Sequence, residues 1–376
     1  MAGSSALPTP LPATAPTARL SDSAPIRVGI IGATGYVGGE LIRLLARHPA
    51  VLLVGLTGRE RRGDPIGGVH PHLATSDLVL DSELVAEADA VFLALPHGTA
   101  ATLVPALLDR GISVIDQGPD FRLRSAADYP RWYGFEHPHP ELLERAVYGL
   151  PELHRAGLQD AAAALLNGRP ALVGSPGCYP TATLLAVAPL ARAGLIEDLV
   201  VDAKSGVSGA GREAKAEMLY AEVNESVRAY GVNGHRHAAE MEQELAALAP
   251  GSSTTPPGDP VDFLPHLIPM TRGILAACHV RPTRKVTQAE LDELYAAAYA
   301  DEPFVTVVAD PPATGHVLGS NEARLFVRAD RRTGRVLAIG VIDNLVKGAA
   351  GQGVQAFNAL FGLPEATGLD ALPIAP

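Results

Sequence analysis

The chain has 376 residues, a length that fits two domains better than one hydrophobic core. Hydrophobic residues make up 47% of it and charged residues 19%, which is typical of globular proteins and excludes disorder for most of the chain. The 30 Lys and Arg against 41 Asp and Glu give a net charge of -11, which argues against nucleic-acid binding, and no apolar run approaches the roughly 18 residues of a membrane span.

Residues 1–24 consist mainly of Pro, Ala, Ser and Thr and show neither helical nor strand periodicity. This composition predicts a disordered tail. The tail lacks the basic start and the continuous apolar centre of a secretory signal, while its scarcity of acidic residues leaves a transit peptide open.

Short β-branched runs alternate with amphipathic helical segments between residues 25 and 176. This alternation predicts a parallel sheet with helices on both faces, a Rossmann-type α/β domain. The turn after the first strand contains Gly32, Thr34, Gly35, Tyr36, Val37 and Gly38. Glycines here permit a tight turn and let a pyrophosphate approach the free N–H groups at the helix start. We therefore predict a dinucleotide site; the alternative is a plain strand–helix turn whose glycines serve packing.

The end of the second strand bears on the type of cofactor. The strand VLLVGL leads into Thr57, and Arg59, Glu60 and two further arginines follow closely. A hydroxyl and guanidiniums at this point suit a 2′-phosphate, so NADP(H) is favoured over NAD, with Glu60 as the evidence for NAD. Pro96 follows the strand ADAVFLAL at the same edge of the sheet, and it is a candidate for the wall of the cofactor site.

Two cysteines cannot form a disulfide scaffold, and they fit a reducing compartment, the cytoplasm. Cys178 lies between the strand ALV and the apolar helical stretch ATLLAVAPLA. At a helix N-terminus, free N–H groups and the positive end of the dipole stabilise a thiolate, so Cys178 is the predicted nucleophile, with a buried structural role as the alternative. Cys278 lies in the middle of the strand ILAACHV and is predicted to belong to the core. A thiolate beside a nicotinamide indicates aldehyde or acyl chemistry.

Residues 177–345 contain strands separated by turns more often than by helices, which predicts an α+β catalytic domain with a mixed or antiparallel sheet. Residues 249–260 are predicted to form a surface loop. Periodicity leaves open whether the last helix, within residues 346–376, packs back on the first domain.

A second glycine-rich turn spans residues 204–212 and includes Ser205 and Gly206. Such a turn can form a nest of N–H groups for an anionic part of the cofactor, and Arg212 adds a guanidinium for phosphate or carboxylate. A flexible linker is the alternative, of equal weight.

A proton carrier is predicted at the start of the acidic helix AAEMEQELAAL, where His235 and His237 flank an arginine. A plain surface position and a metal site are the alternatives. No third ligand occurs at a plausible spacing, so no metal is predicted.

Eight segments occur in the order found in a known family. They are GATGYVGGEL, DFRL, VYGLPEL, VGSPGCYPTATLLAVAP, SGAGR, HRHAAE, LIPMTRGIL and DNLVKGAAGQ. With these segments the chain resembles the N-acetyl-gamma-glutamyl-phosphate reductases, NADP-dependent enzymes of arginine biosynthesis related to the aspartate-semialdehyde dehydrogenases. The resemblance covers nearly everything after the tail.

The resemblance implies roles for single residues. Cys178 looks like the acyl-accepting cysteine, and His235 looks like the acid/base, with His237 as the second choice. Arg122 and Arg212 look like contacts for anionic groups of the substrate.

The resemblance also implies that Asn344 lies near the nicotinamide. In one place the chain departs from the family, because Gly118 stands where a serine is usual, so a hydroxyl is missing there.

The reaction implied by the resemblance is the NADPH-dependent reduction of N-acetyl-L-glutamyl 5-phosphate to the 5-semialdehyde, through a thioester on Cys178, in a homodimer or homotetramer built through the second domain. The nearest alternative is a sibling reductase that acts on carrier-linked aminoadipyl phosphate in lysine biosynthesis. An alternative of another class is a non-catalytic, redox-sensing NADP-binding protein.

Overall fold

The computed structural model describes residues 24–58, 61–81, 87–249 and 261–374. The predicted tail 1–24 and the predicted loop 249–260 lie almost wholly outside these ranges, and so does Arg59.

Six parallel strands form the first sheet, in the order β2-β1-β3-β4-β6-β5. The strands are β1 (Ile26–Ile31), β2 (Val51–Thr57), β3 (Ala90–Leu93), β4 (Ser113–Asp116), β5 (Ala146–Tyr148) and β6 (Leu172–Gly174). All residues of β3 and β4 are buried, as expected when helices cover both faces of a parallel sheet.

Helices connect these strands. They are α1 (Tyr36–Leu45), α2 (Ile66–Val69), α3 (Ala100–Asp109), α4 (Asp128–Tyr133), α5 (Pro140–Leu143) and α6 (Pro151–Leu166). The carboxyl ends of the strands meet at one edge, where ligands bind in open sheets of this kind.

Seven strands form the second sheet, in the order β11-β12-β13-β10-β7-β9-β8. They are β7 (Ile196–Ser205), β8 (Arg228–Ala229), β9 (Asp262–Leu267), β10 (Ile274–Pro282), β11 (Val305–Val307), β12 (Ala323–Ala329) and β13 (Val336–Ile342). Two neighbouring pairs are parallel, β7 with β9 and β11 with β12, and the others are antiparallel. The predicted mixed sheet is thereby confirmed.

The second sheet packs against a helix that starts at the predicted nucleophile. The helices of this part are α7 (Cys178–Arg192), α8 (Tyr220–Val223), α9 (His237–Leu248) and α10 (Gln288–Tyr299). Between Tyr179 and Ala191 every residue of α7 is buried. The helix approaches β13 so closely that a Cβ on Gly340 would lie 2.2 Å from the carbonyl oxygen of Ala182. The start of α7 is therefore rigidly held.

The last helix, α11 (Gly351–Leu360), packs back on the first sheet. It follows a π-helical turn, Val346–Ala350, directly. The ring of Phe357 lies 5.7 Å from that of Phe92 in β3, and Gln352 Nε2 donates a hydrogen bond to the carbonyl oxygen of Gly149. The question that periodicity left open is thus answered by apolar packing on the first sheet. No helix in the described part of the chain is long and apolar enough to cross a bilayer.

Candidate active site

A cavity of about 1250 Å³ lies at the carboxyl edge of the first sheet and reaches the start of α7. One end is lined by the glycine-rich turn after β1, and the other end by Cys178. The loops after β2, β3 and β4 contribute to its wall. The cavity therefore joins the predicted dinucleotide site to the predicted nucleophile.

All six residues predicted in the glycine-rich turn line the nucleotide end of the cavity, and two of its glycines cannot be replaced. Gly32 has a φ of +92°, and a Cβ there would lie 2.2 Å from the carbonyl oxygen of Ala94. A Cβ on Gly38 would lie 2.3 Å from the carbonyl oxygen of Gly32. Helix α1 begins at Tyr36 without a side-chain cap or an acidic residue in its first turn. Its first N–H groups are therefore free to bind an anion, so the turn fits a pyrophosphate.

Thr57 and Pro96 also line this end of the cavity, together with Arg61. The carbonyl oxygen of Thr57 accepts hydrogen bonds from the N–H groups of Gly32 and Ala33, which fixes the turn to β2. Arg61 lies 3.6 Å from Asp64 in an exposed pair. A cation is therefore present where a 2′-phosphate would bind.

Arg212 lies at the nucleotide end, away from the position that the sequence predicted for it beside the substrate. Its Nη1 donates to the carbonyl oxygen of Thr34 at 3.0 Å, and its Nη2 donates to that of Val69 at 2.8 Å. Through its bond to Thr34, the guanidinium of Arg212 links the second glycine-rich turn to the first.

The second glycine-rich turn meets the cavity through Ser208, Gly209, Gly211 and Arg212, whereas Ser205 and Gly206 do not line it. A Cβ on Gly206 would lie 2.7 Å from the carbonyl group of Thr271, so this glycine serves close packing. Ser205 is buried, and its hydroxyl donates to the carbonyl oxygen of Gly206. The turn that the sequence singled out thus lies at the cavity, but the residues of it that face the cavity come after Ser205 and Gly206.

Asn344 lines the cavity and is held from both sides. Its Nδ2 donates to Ser208 Oγ at 2.9 Å, and its Oδ1 accepts from the N–H of Gly273 at 2.7 Å. These bonds fix the amide beside the second glycine-rich turn.

Cys178 is the first residue of α7, and Gly177 is the N-cap. Its side chain is half-buried in the cavity wall. Burial raises the pKa of the thiol to about 11, although the guanidinium of Arg122 acts to lower it. A thiol with this pKa is protonated at neutral pH, so its chemistry requires a base nearby.

His237 lines the cavity together with Cys178. A Cβ built on Gly177, the residue before the cysteine, would lie 2.5 Å from His237 Nε2. The Nδ1 atom of His237 is buried and has no hydrogen-bond partner among the described residues. Burial, His235 and nearby arginines hold the pKa of His237 well below its usual value, so the imidazole is neutral at neutral pH.

His235, the first choice of the sequence analysis, lies behind His237. Its ring packs against the rings of Tyr179, Tyr230 and Phe263 at centroid distances of 6.0, 5.6 and 5.3 Å. Its Nδ1 accepts from the N–H of His237 at 3.1 Å. Burial lowers the pKa of His235 to about 4. His235 thus belongs to an aromatic cluster and does not line the cavity, so the geometry favours His237, the second choice of the sequence analysis.

Glu240 connects α9 to the loop before the cysteine. Its Oε1 accepts from the N–H of Gly177 and from the hydroxyl of Tyr148, both at 2.7 Å. Its Oε2 lies 3.6 Å from Arg122 Nη1. Complete burial raises the pKa of this carboxyl above its usual value. Glu240 thus holds the helix that carries His237 against the turn that carries Cys178, a role that the sequence analysis did not assign to it.

Gly118, where the family usually has a serine, lies in the cavity wall. Its N–H donates to Asp116 Oδ1 at 2.8 Å, and a Cβ here would lie 2.9 Å from the same oxygen. A glycine therefore suits this position, because a larger side chain would collide with the buried carboxylate of Asp116. Among the described residues no three His, Cys, Asp or Glu side chains are grouped as metal ligands.

The π-helical turn brings Gly348 against the nucleophile, where a Cβ would lie 2.8 Å from the Cβ of Cys178. We expect Gly348→Ala to displace the cysteine, to destabilise the fold by about 1–3 kcal/mol and to lower turnover. Steady-state kinetics and urea denaturation measure both effects. Gly315→Ala is the matched control, because a Cβ there meets nothing within 4 Å. An unchanged kcat in Gly348→Ala would contradict the expectation.

Two family models match this chain, one over the part that contains each sheet. The family described as "Semialdehyde dehydrogenase, NAD binding domain" matches residues 27–161, and "Semialdehyde dehydrogenase, dimerisation domain" matches residues 178–344. Solved structures with this fold include an aspartate semialdehyde dehydrogenase with NADP from Candida albicans, with a TM-score of 0.66 and 16% identity over 90% of this chain and 98% of that one. An aspartate semialdehyde dehydrogenase II from Vibrio cholerae gives a TM-score of 0.65 and 19% identity, over 90% of this chain and 98% of that one.

Some other proteins are much more similar to this chain in sequence than these solved structures are. An N-acetyl-gamma-glutamyl-phosphate reductase of Heliobacterium modesticaldum is 49% identical over 93% of this chain and 100% of its own length. One of Moorella thermoacetica is 45% identical, with the same coverage of 93% and 100%. Identity at this level over nearly the whole length establishes common family membership. The chain, with its cysteine and its dinucleotide turn in one cavity, therefore belongs to the family of N-acetyl-gamma-glutamyl-phosphate reductases.

Proposed function

We propose that this protein reduces N-acetyl-L-glutamyl 5-phosphate to N-acetyl-L-glutamate 5-semialdehyde and phosphate with NADPH, in arginine biosynthesis. The observation that carries the proposal is the cavity that contains both the glycine-rich turn after β1 and Cys178 at the start of α7. Such a cavity allows hydride transfer to a group bound on the cysteine sulfur. The relatives that share the whole length carry the name of this activity.

The residues present fit NADP(H), which supplies a hydride when bound. Free N–H groups at the start of α1, together with Arg212, face the position of the pyrophosphate. Thr57 and Arg61 lie where a 2′-phosphate would be recognised, and Arg59, outside the described residues, is close to them in the sequence. Asn344 is held in the wall between the two glycine-rich turns, where it can orient the nicotinamide end.

In the first half of the reaction the Cys178 thiol gives its proton to His237, and the sulfur attacks the carbonyl carbon of the acyl phosphate. The carbon–sulfur bond forms, the bond from carbon to the phosphate oxygen breaks, and phosphate leaves with the electron pair. Backbone N–H groups at the start of α7 stabilise the oxyanion. The product of this step is a thioester on Cys178.

In the second half, hydride supplied by bound NADPH would add to the thioester carbonyl carbon, and protonated His237 gives its proton to the resulting oxyanion, so that a thiohemiacetal forms on the same sulfur. The carbon–sulfur bond then breaks, the aldehyde leaves, and the hydroxyl proton moves to His237 or to the departing sulfur. His237 therefore transfers protons in both halves, which suits a neutral imidazole held beside the cysteine.

We expect His237→Asn to lower kcat/KM by about 10²- to 10⁴-fold, because proton transfer by a positioned base contributes on this order. His235→Asn, the matched control on the same segment, is expected to cause a smaller loss, since its ring packs among aromatic rings outside the cavity lining. Both variants are compared by steady-state kinetics and thermal midpoint. A larger loss of activity in His235→Asn at an unchanged midpoint would reverse the assignment.

We also propose that the two sheets have different roles. Residues 25–176, with the returning segment 346–376, bind the cofactor, while residues 177–345 carry the catalytic groups and an interface for a homodimer or homotetramer. The match of residues 178–344 to a dimerisation domain supports the interface. Both cysteines are free, which supports a cytoplasmic location.

The test is the reverse reaction, followed as reduction of NADP with N-acetylglutamate 5-semialdehyde in the presence and absence of phosphate. We expect turnover that depends on phosphate or arsenate. The same assay with a carrier-linked aminoadipate semialdehyde is the comparison. A higher kcat/KM for the carrier-linked substrate would replace the proposal with the lysine-route activity, and no turnover with either would indicate a cofactor-binding protein without catalysis.

A further inference from the structure

We propose that Arg236, between the two histidines, binds an anionic group of the substrate at the cysteine end of the cavity. This inference rests on the proposed function and assigns its substrate subsite. The substrate brings two anionic groups, an α-carboxylate and a phosphate, and both suit a guanidinium with parallel N–H donors.

Arg122 lines the same end of the cavity, but its guanidinium is bonded to the protein. Its Nε donates to the carbonyl oxygen of Ser175 at 2.6 Å, and its Nη2 donates to that of Gln117 at 2.8 Å. Its Nη1 lies 3.6 Å from Glu240, and the side chain is only 9% exposed. Arg122 therefore shapes the cysteine loop, and its positive charge is balanced by a buried carboxylate.

The other two arginines of the cavity lie at the nucleotide end. Arg212 donates to the carbonyl oxygens of Thr34 and Val69, and Arg61 pairs with Asp64. Neither is therefore available for a substrate at the sulfur. The hydrogen bonds of Arg122 and Arg212 therefore favour another cation for the substrate contact that the resemblance implied for these two residues.

Arg236 lines the cavity and is exposed to it. Within residues 24–58, 61–81, 87–249 and 261–374, no carboxylate oxygen lies within 4.0 Å of its guanidinium. Its positive charge contributes to lowering the pKa of both His235 and His237, which indicates that the guanidinium lies close to these rings. Among the described residues, Arg236 is thus a cation without an acidic partner, and it lines the cavity with His237 and Cys178.

In a chain of net charge -11, an unpaired cation at this point can attract an anionic substrate to the cavity. Because acidic residues outnumber basic ones, an anionic substrate is attracted only where a positive charge is left unbalanced. Arg236 leaves such a charge at the cavity wall, and its neighbour His237 stays neutral for proton transfer. One residue therefore binds the anion while the next handles the proton.

The experiment measures the reverse reaction in Arg236→Gln, Arg236→Lys and the control Arg110→Gln, which removes a charge from an exposed site at the end of α3 outside the cavity lining. In Arg236→Gln we expect the KM of one anionic reactant to rise about 10- to 100-fold, as for the loss of a charged hydrogen bond. A rise for phosphate identifies the phosphate as the ligand, and a rise for the semialdehyde identifies the carboxylate. A rise for both means that the two anions share the site.

Further readouts separate anion binding from other roles. Arg236→Lys should recover part of the loss, because the charge remains while the planar fork is lost. The dissociation constant of NADPH, measured by fluorescence titration, should not change. A fall in kcat with both KM values unchanged, or an equal loss of cofactor affinity, would overturn the inference. Failure of the proposed function itself is distinguishable, because the unmodified protein would then show no turnover.

Discussion

Cys178→Ala is expected to abolish turnover while the protein still binds NADPH. Without the sulfur there is no thioester, so hydride has no activated acyl group to reduce, and the loss should be on the order of 10³-fold or more. The assay is phosphate-dependent reduction of NADP with the semialdehyde. Cofactor binding persists because the glycine-rich turn after β1 and the start of α1 do not depend on the thiol.

The second cysteine provides the control. Cys278 is fully buried in β10 and pairs across the sheet with Ala338 and Val201. Cys278→Ala removes one buried sulfur and should retain most of the activity. Retained turnover in Cys178→Ala, or a loss in Cys278→Ala as large as in Cys178→Ala at equal stability, would contradict the proposed mechanism.

Lys347→Met is expected to destabilise the protein by about 3–5 kcal/mol, because it leaves a buried carboxylate without its cation. Lys347 has no exposed side-chain surface, and its Nζ lies 2.6 Å from both Glu152 Oε1 and Gln355 Oε1. The Phe304 ring also packs over the ammonium group, with Lys347 Nζ 5.5 Å from the ring centroid. Urea denaturation and the thermal midpoint measure the loss.

The double variant Lys347→Met with Glu152→Gln isolates the cause. Removing both charges leaves no buried ion, so most of the stability should return. Arg284→Ala breaks a pair with Glu290 that is largely exposed, and it should leave the midpoint nearly unchanged. If the double variant is as unstable as Lys347→Met, the loss comes from packing and not from the unpaired carboxylate.

Local patterns were sufficient to predict the fold and to place Cys178 at the start of a helix. The first sheet follows from short β-branched strands that are buried on both faces, as in β3 and β4. Gly38 is required by a backbone contact within one strand–turn–helix unit, and Gly32 is required there by its φ of +92°, so their spacing carries the information. Cys178 begins a helix directly after a strand, and that order can also be read along the chain.

Residues whose roles depend on distant parts of the chain could not be predicted in this way. His235 and His237 differ by two positions, and only the aromatic cluster of Tyr179, Tyr230 and Phe263 decides which of them reaches the cavity. Arg212 meets its acceptors across 178 and 143 residues of sequence. Long-range hydrogen bonds of this kind leave no periodic signal.

The return of α11 to the first sheet has a consequence for synthesis on the ribosome. Domains fold from the N-terminus as they emerge, so the strands of the first sheet are complete long before residues 346–360 are translated. Until then the apolar surface around Phe92 lacks its cover from Phe357, and the wall of the cysteine that Gly348 supplies is missing. A nascent chain therefore contains Cys178 before the wall beside it is complete, so we expect the site to form only when α11 has docked.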